Sequence, residues 1–216
     1  MSRVFIILLI MVSVTHLYAS WKNDRKMRAL TKPFLLIFIG LWYLCRAEDP
    51  DPVIIAAIFF GWLGDVLLIP TGTKWFAAGG ISFLLGHALY VAAFVLRTDF
   101  SLVRWYNVFF AFVVYFLVAV RLMRSIKDDM NPRLYYPMLL YLAINGVMNI
   151  FALMALMCNP RPEAVIAYIG AILFFISDCC LFLVRFHKPP VMKHKHFSVM
   201  LTYILAEFMI VYGLSL

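Results

Sequence analysis

The chain has 216 residues, of which 65% are hydrophobic and only 14% charged, with a mean hydropathy of +0.92. Soluble domains are roughly 45–50% apolar and about 25% charged, and one of this size could not bury so much apolar surface. A free-standing soluble enzyme, a disordered chain and a disulfide scaffold are therefore excluded. The formal charge of +8 sits mostly between apolar runs, which points to membrane topology and anionic headgroups, not to nucleic acid.

What remains is an all-α, polytopic membrane bundle. At about 20 residues per span the chain holds about eight transmembrane helices in a single integral membrane domain, 1–216. The expected spans are 4–19, 33–45, 53–70, 75–96, 102–120, 134–158, 164–184 and 197–216, and every gap between them contains charge, Pro or Gly. The first run has the make-up of a signal peptide as well, with Arg3, an apolar core and small residues ending at Ala19-Ser20. Retained as a helix, it keeps the number of spans even. Alternate gaps divide the 19 Lys and Arg unequally. Arg3, Arg46, Arg97, Arg104 and Arg161 fall on one side, and the other fourteen, Lys32 and Arg185 among them, fall on the second. The second side is expected to be cytoplasmic and both termini non-cytoplasmic.

A weak internal repeat is visible. Gly64-Asp65 in the third span parallels Ser177-Asp178 in the seventh, Lys32-Pro33 parallels Tyr136-Pro137, and Tyr90 lies near the register of Tyr203. Two four-helix halves of this kind would be parallel, with a site at their interface. Chance similarity among apolar helices is the competing explanation.

An ionisable residue inside a membrane helix is rare and marks function by default. Four stand out: Asp65, Asp178, His87 and Glu207. Counted at 1.5 Å per residue from the basic side, Asp65 lies about 7–8 Å deep, Asp178 about 9 Å, Glu207 roughly 15 Å and His87 about 20 Å. Two aspartates at one level would share a proton, one as general acid and the other as general base. The bland alternative is helix-to-helix hydrogen bonding. Matched depth, and a small residue (Gly64, Ser177) before each acid, favour the functional reading.

Around these acids, His87 and Tyr90 are i, i+3 neighbours beside a small-residue seam of Gly79, Ser82 and Gly86. Tyr141, Asn145 and Asn149 form a polar stripe with a four-residue period. Each set either lines a site or glues helices. Lys32, next to Pro33 at an expected helix start, and Arg185 could hold a phosphate or serve as ordinary topogenic cations. The segment 187–196 carries three histidines, with Lys between the last two and no Cys nearby, and reads as a solvated basic loop, not a metal site. Cys45, Cys158, Cys179 and Cys180 form no C-x-x-C pair and read as buried thiols. No metal and no cofactor is expected.

Taken together, Thr31-Lys32-Pro33, Gly64-Asp65-x-x-Leu68, His87-x-x-Tyr90, Tyr141 and Gly170-Ala171-x-x-Phe174-x-x-Ser177-Asp178 with Arg185-Phe186 resemble the YhhN-type lysoplasmalogenase family, over about residues 30–210. The last segment is the most specific. The family's final span typically reads Tyr-x-x-Ala-Gln, whereas this chain has Tyr203-Ile204-Leu205-Ala206-Glu207, which adds a third intramembrane acid. The resemblance implies an eight-helix hydrolase that cleaves the vinyl ether of lysoplasmalogen, with an ethanolamine or choline headgroup, to a fatty aldehyde and a glycerophospho-base. Catalysis is then expected from Asp65 and Asp178. Lys32, His87, Tyr90, Tyr141, Asn145, Ser177, Arg185, Tyr203 and Glu207 are expected to contact substrate. Partners would be the lysophospholipid and membrane lipids, in a bacterial cytoplasmic membrane or an animal endoplasmic reticulum. A small-molecule or proton-coupled carrier using the same acids is the alternative.

Overall fold

Residues 1–188 and 193–215 are described by a computed structural model. They form eight helices and no strand: α1 (Ser2–Trp21), α2 (Arg25–Arg46), α3 (Pro52–Leu67), α4 (Thr73–Val95), α5 (Trp105–Ile126), α6 (Pro132–Cys158), α7 (Pro162–Phe186) and α8 (Lys195–Leu214). Seven are long and apolar enough to cross a bilayer, which makes this an integral membrane protein. The exception, α3, has 16 residues and is about 24 Å long.

The helix boundaries follow local chemistry. Asp24 caps α2 by accepting from the amides of Lys26 and Met27, and Asp51 and Asn131 cap α3 and α6 in the same way, each ahead of a Pro that needs no N–H partner. Asn23, at φ 58° in the α1–α2 turn, tolerates the left-handed region through its short polar side chain. Pro33 does not start a helix, contrary to the sequence-based expectation. Capping at Asp24 starts α2 at Arg25, so Pro33 lies inside it and offers no N–H to the carbonyl of Ala29. The third span also ends earlier than expected, at Leu67 instead of residue 70.

Neighbour pairs close a circuit of six helices, α2–α3–α4–α6–α7–α8 and back to α2. The order repeats after four helices: α3 packs between α2 and α4, α7 between α6 and α8, and the α4–α6 contact has its counterpart in α8–α2. The two halves differ at the periphery, where α1 packs on α2 and α8 but α5 packs on α6 and α7. Close approach within a pair needs small residues. A Cβ on Gly79 would meet Leu68, one on Gly170 would lie 2.9 Å from the Ile210 amide, and Ser82 donates to the Phe60 carbonyl at 2.6 Å. At the end of the bundle holding Arg97, that guanidinium pairs with Asp51 at 3.3 Å and also donates to the Ala93 and Leu214 carbonyls.

α1 and α5 lie outside the circuit and leave most of their surface exposed. Phe109, Phe110, Phe112 and Phe116 of α5 all point outward, as expected for a helix face solvated by lipid. The cysteines are not core residues as expected: Cys45 is exposed and the other three are partly exposed, because their helix faces turn away from the circuit.

Candidate active site

The last turn of α3 and the second half of α7 each place a carboxyl group on the wall of one cavity of about 480 Å³. Phe174, Ser177, Asp178, Leu181 and Arg185 recur at helical spacing along the face of α7 that lines it. Opposite them stand Lys32 from α2, Phe76 and Phe83 from α4, and Met200 and Tyr203 from α8. Residues 68–72 and the first turns of α2 and α8 form the mouth, at the end of the bundle where fourteen of the 19 Lys and Arg were placed by the sequence.

The two acids have different partners. Asp65, 1% exposed, receives the Lys32 ammonium at 3.1 Å on Oδ1 and the Tyr203 hydroxyl at 2.9 Å on Oδ2. Asp178 accepts from the Tyr141 hydroxyl at 2.9 Å and from Asn145 Nδ2 at 2.6 Å, both on Oδ2, with His87 Nε2 at 3.7 Å. The Asn145 amide is oriented by its own oxygen, which accepts from Asn149, and Asn149 in turn accepts from the Tyr115 hydroxyl. Donors thus run in one direction from α5 through α6 to Asp178 Oδ2, a buried network in which each polar group has its complement. Phe174 stands between the two sets, edge-on to Tyr203 at 5.6 Å and to His87 at 4.5 Å between ring centroids.

The repeat is therefore chemical as well as topological. Asp65 takes Lys32 from the helix before it in the circuit and Tyr203 from the helix after it, and Asp178 takes Tyr141 and Asn145 from the helix before it, while His87 of the helix after it stands at 3.7 Å, beyond hydrogen-bond distance. The expectation of two carboxyls sharing one proton needs revising, because each is engaged by its own donors from its own half. Lys32 is likewise not a free phosphate ligand, since its charge is 3.1 Å from Asp65.

Of the residues singled out in the sequence, Asp65, Asp178, Lys32, Ser177, Arg185 and Tyr203 line the cavity. Ser177 also donates to the Val199 carbonyl and so ties α7 to α8. His87, Tyr141 and Asn145 form the layer behind Asp178. Tyr90 and Glu207 make a separate buried pair at 2.7 Å, with the Glu207 carboxyl packed against Gly61. The residues not foreseen are at the mouth: His16, Arg25, Arg28, Lys195 and His196. Arg25, Arg28 and Lys32 are spaced i, i+3, i+7, a single helical face once α2 is known to begin at Arg25. The histidine-bearing segment is also not simply solvated: His194 stacks on Trp21 at 3.7 Å and His196 lines the cavity, while residues 189–192 lie outside the described residues. No group of three His, Cys, Asp or Glu is gathered for a metal among the described residues.

The YhhN family model matches residues 27–214. The chain belongs to the YhhN family. Searches of curated proteins and of solved structures gave no match. The stretch shared with the YhhN family runs from the first turn of α2 to the end of α8. It contains both aspartates and every partner named for them, and α1, which brings His16 to the mouth, precedes it.

Proposed function

We propose that this YhhN-family protein is a lysoplasmalogenase-type hydrolase of vinyl ether lysophospholipids. The observation that carries the reading is the pair of buried aspartates, one with a cationic partner and one without, on the wall of a single cavity open at the basic end of the bundle. Vinyl ether hydrolysis begins with proton transfer to the β-carbon of the double bond and passes through an oxocarbenium ion. It therefore needs a carboxylic acid and a carboxylate in one water-poor site.

The roles follow from the partners. Asp65 is the carboxylate, since the Lys32 ammonium pairs with Oδ1 and the Tyr203 hydroxyl donates to Oδ2. Asp178 is the acid. Tyr141 and Asn145 both donate to Oδ2, so its proton belongs on Oδ1. Oδ1–H protonates the β-carbon, and the Asp65 carboxylate stabilises the cation and takes a proton from the attacking water. In the hemiacetal, Asp178 takes back the hydroxyl proton while Asp65 protonates the leaving glycerol oxygen. Aldehyde and glycerophospho-base leave, and both acids return to their starting states.

The alkenyl chain is accommodated by Phe83, Phe174 and Met200, and the headgroup stays at the mouth. The charge bias supports a mouth facing the cytoplasm, with both termini on the other side. The test is aldehyde release from an alkenyl lysolipid by purified protein in nanodiscs, for the native chain and for Asp65→Asn and Asp178→Asn. We expect release by the native chain and a loss of at least about a thousandfold in each variant, the scale of removing an essential acid–base group. Full activity in both variants refutes the assigned roles, and no release by the native chain from any alkenyl lysolipid refutes the hydrolase.

A further inference from the structure

The mouth of the cavity is more cationic than a zwitterionic headgroup requires. Arg25, Arg28, Arg185 and Lys195 converge there from α2, α7 and α8. Among the described residues the Lys and Arg ion pairs are Lys32–Asp65 and Arg97–Asp51, so none of these four cations is held in one, and Asp24 acts on Arg28 only over a longer distance. Among the described residues the acids on the cavity wall are Asp65 and Asp178 alone, both deeper and both already engaged. Asp24, at the start of α2, turns its carboxylate onto the amides of Lys26 and Met27. An ethanolamine or choline ammonium would thus meet positive charge and no counter-charge. Nor does the mouth offer it an aromatic face, the usual recourse for a quaternary ammonium. Phe76 already carries the Arg185 guanidinium over its ring at 5.0 Å, and Trp21 is stacked on His194.

A second, independent feature points the same way. His16 lines the cavity at 1% exposure, and its Nε2 is buried with no hydrogen-bond partner. Thr31 Oγ1 lies 2.7 Å from His16 Nδ1 and 2.8 Å from the Met27 carbonyl. With the hydroxyl proton directed to Nδ1, Nε2 carries the ring N–H and is a donor for a phosphate oxygen. A phosphate monoester is mostly a dianion at neutral pH, so it offers the four cations and Nε2 about one more negative charge than a phosphodiester does. The Nε atom of Arg28 is buried without a partner as well, next to the same space.

We propose that the mouth is a phosphate-monoester subsite, and that the preferred lysolipid is an alkenyl glycerol phosphate with no amino-alcohol attached. Arg25, Arg28, Arg185 and Lys195 supply the charge and His16 Nε2 supplies a further hydrogen bond to a phosphate oxygen. The choice of headgroup rests on the hydrolase reading only for the nature of the chain, and the test does not require turnover.

The probe set is a series of saturated 1-O-alkyl lysolipids, which lack the reactive double bond, bearing phosphate, phosphoethanolamine or phosphocholine. Each displaces a fluorescent alkyl lysolipid from the native protein in phosphatidylcholine nanodiscs, and glycerol 3-phosphate and inorganic phosphate are run alongside. The phosphate lipid is expected to bind about tenfold more tightly than either zwitterion, the contribution of one charge-assisted hydrogen bond. In Arg28→Gln and in Arg185→Gln that preference should shrink to about threefold or less, and His16→Phe should reduce it further at neutral pH. Equal affinity for the three lipids in the native protein overturns the proposal, and that comparison stands even where a variant fails to fold. Glycerol 3-phosphate or inorganic phosphate binding as tightly as the phosphate lipid overturns the lipid identity in favour of a soluble phosphate. Should no vinyl ether be cleaved while the binding preference holds, the hydrolase reading fails and the subsite stands. Should cleavage occur with no headgroup preference, the reverse follows.

Discussion

Lys32→Met isolates the ion pair that we assign to the catalytic carboxylate. Two unit charges 3.1 Å apart attract by about 5 kcal/mol at an effective dielectric constant of 20. Much of that offsets the desolvation of both groups, and what the substitution exposes is the penalty for a buried carboxylate left alone, about 3–5 kcal/mol. The Lys32 side chain is 16% exposed and Asp65 only 1%, so some solvent screening applies and the lower end, about 3 kcal/mol, is the expected loss. At roughly 2–4 °C per kcal/mol for a chain of this size, the melting temperature in detergent should fall by roughly 6–12 °C. Lys32→Met/Asp65→Asn should recover most of the drop, because the amide carries no charge, and the double-mutant cycle should show a coupling of about 2 kcal/mol. Asp65→Asn alone should be milder than Lys32→Met, since the freed ammonium has solvent within reach at the mouth. The assay is scanning fluorimetry of the four proteins side by side. A Lys32→Met protein that melts with the native one, or a double variant less stable than either single, would show that the pair does not hold Asp65 ionised.

Other consequences are narrower. Tyr141→Phe removes one of two donors on Asp178 Oδ2 and should lower kcat for aldehyde release by roughly tenfold, one hydrogen bond's worth, with KM little changed; an effect on KM alone would count against a role through Asp178. Gly170→Ala drives a methyl group to within 3.0 Å of the Ile210 amide and the Ala206 carbonyl of α8, backbone atoms that cannot swing aside, so thermal stability should fall by about 1–3 kcal/mol. Gly80→Ala, whose new methyl group would meet Met138 at 3.8 Å, should melt within about 0.5 kcal/mol of the native protein. Glu207→Gln keeps an acceptor for the Tyr90 hydroxyl and should retain fold and activity, whereas Glu207→Leu strands that hydroxyl and should lose about 1–3 kcal/mol in the same melting assay.

The acids were legible in the sequence because they are so few: in a chain with 14% charged residues, Asp65 and Asp178 inside apolar runs have nowhere to hide. The stripe of Tyr141 and Asn145 was visible for the same reason, and its destination, Asp178 of the next helix, needed the α6–α7 packing. The start of α2 was obscured by Pro33, which resembles an N-terminal signal although the cap lies at Asp24. That one error hid Arg25 and Arg28, which looked like topogenic cations in a loop and are in fact on the helix face above Lys32. The partner of Lys32 was hidden differently. Between Lys32 and Asp65 the chain reverses through a full span, and no local periodicity records which residues then meet. His16 was passed over because a single imidazole in an apolar run has no pattern; only the fold brings Thr31 to its Nδ1.

The shortness of α3 bears on how a lipid would reach the site. Its length of about 24 Å falls some 6 Å below the ~30 Å of a hydrocarbon core, and a bilayer meets such a deficit by thinning beside the short element. Asp65 lies two residues from the end of α3 where the cavity opens. The dimpled leaflet would bring its glycerol plane down to the carboxylate there. A lysolipid could then slide sideways out of its monolayer, its first ether oxygen arriving at the level of Asp65 as its chain passes between Phe83, Phe174 and Met200.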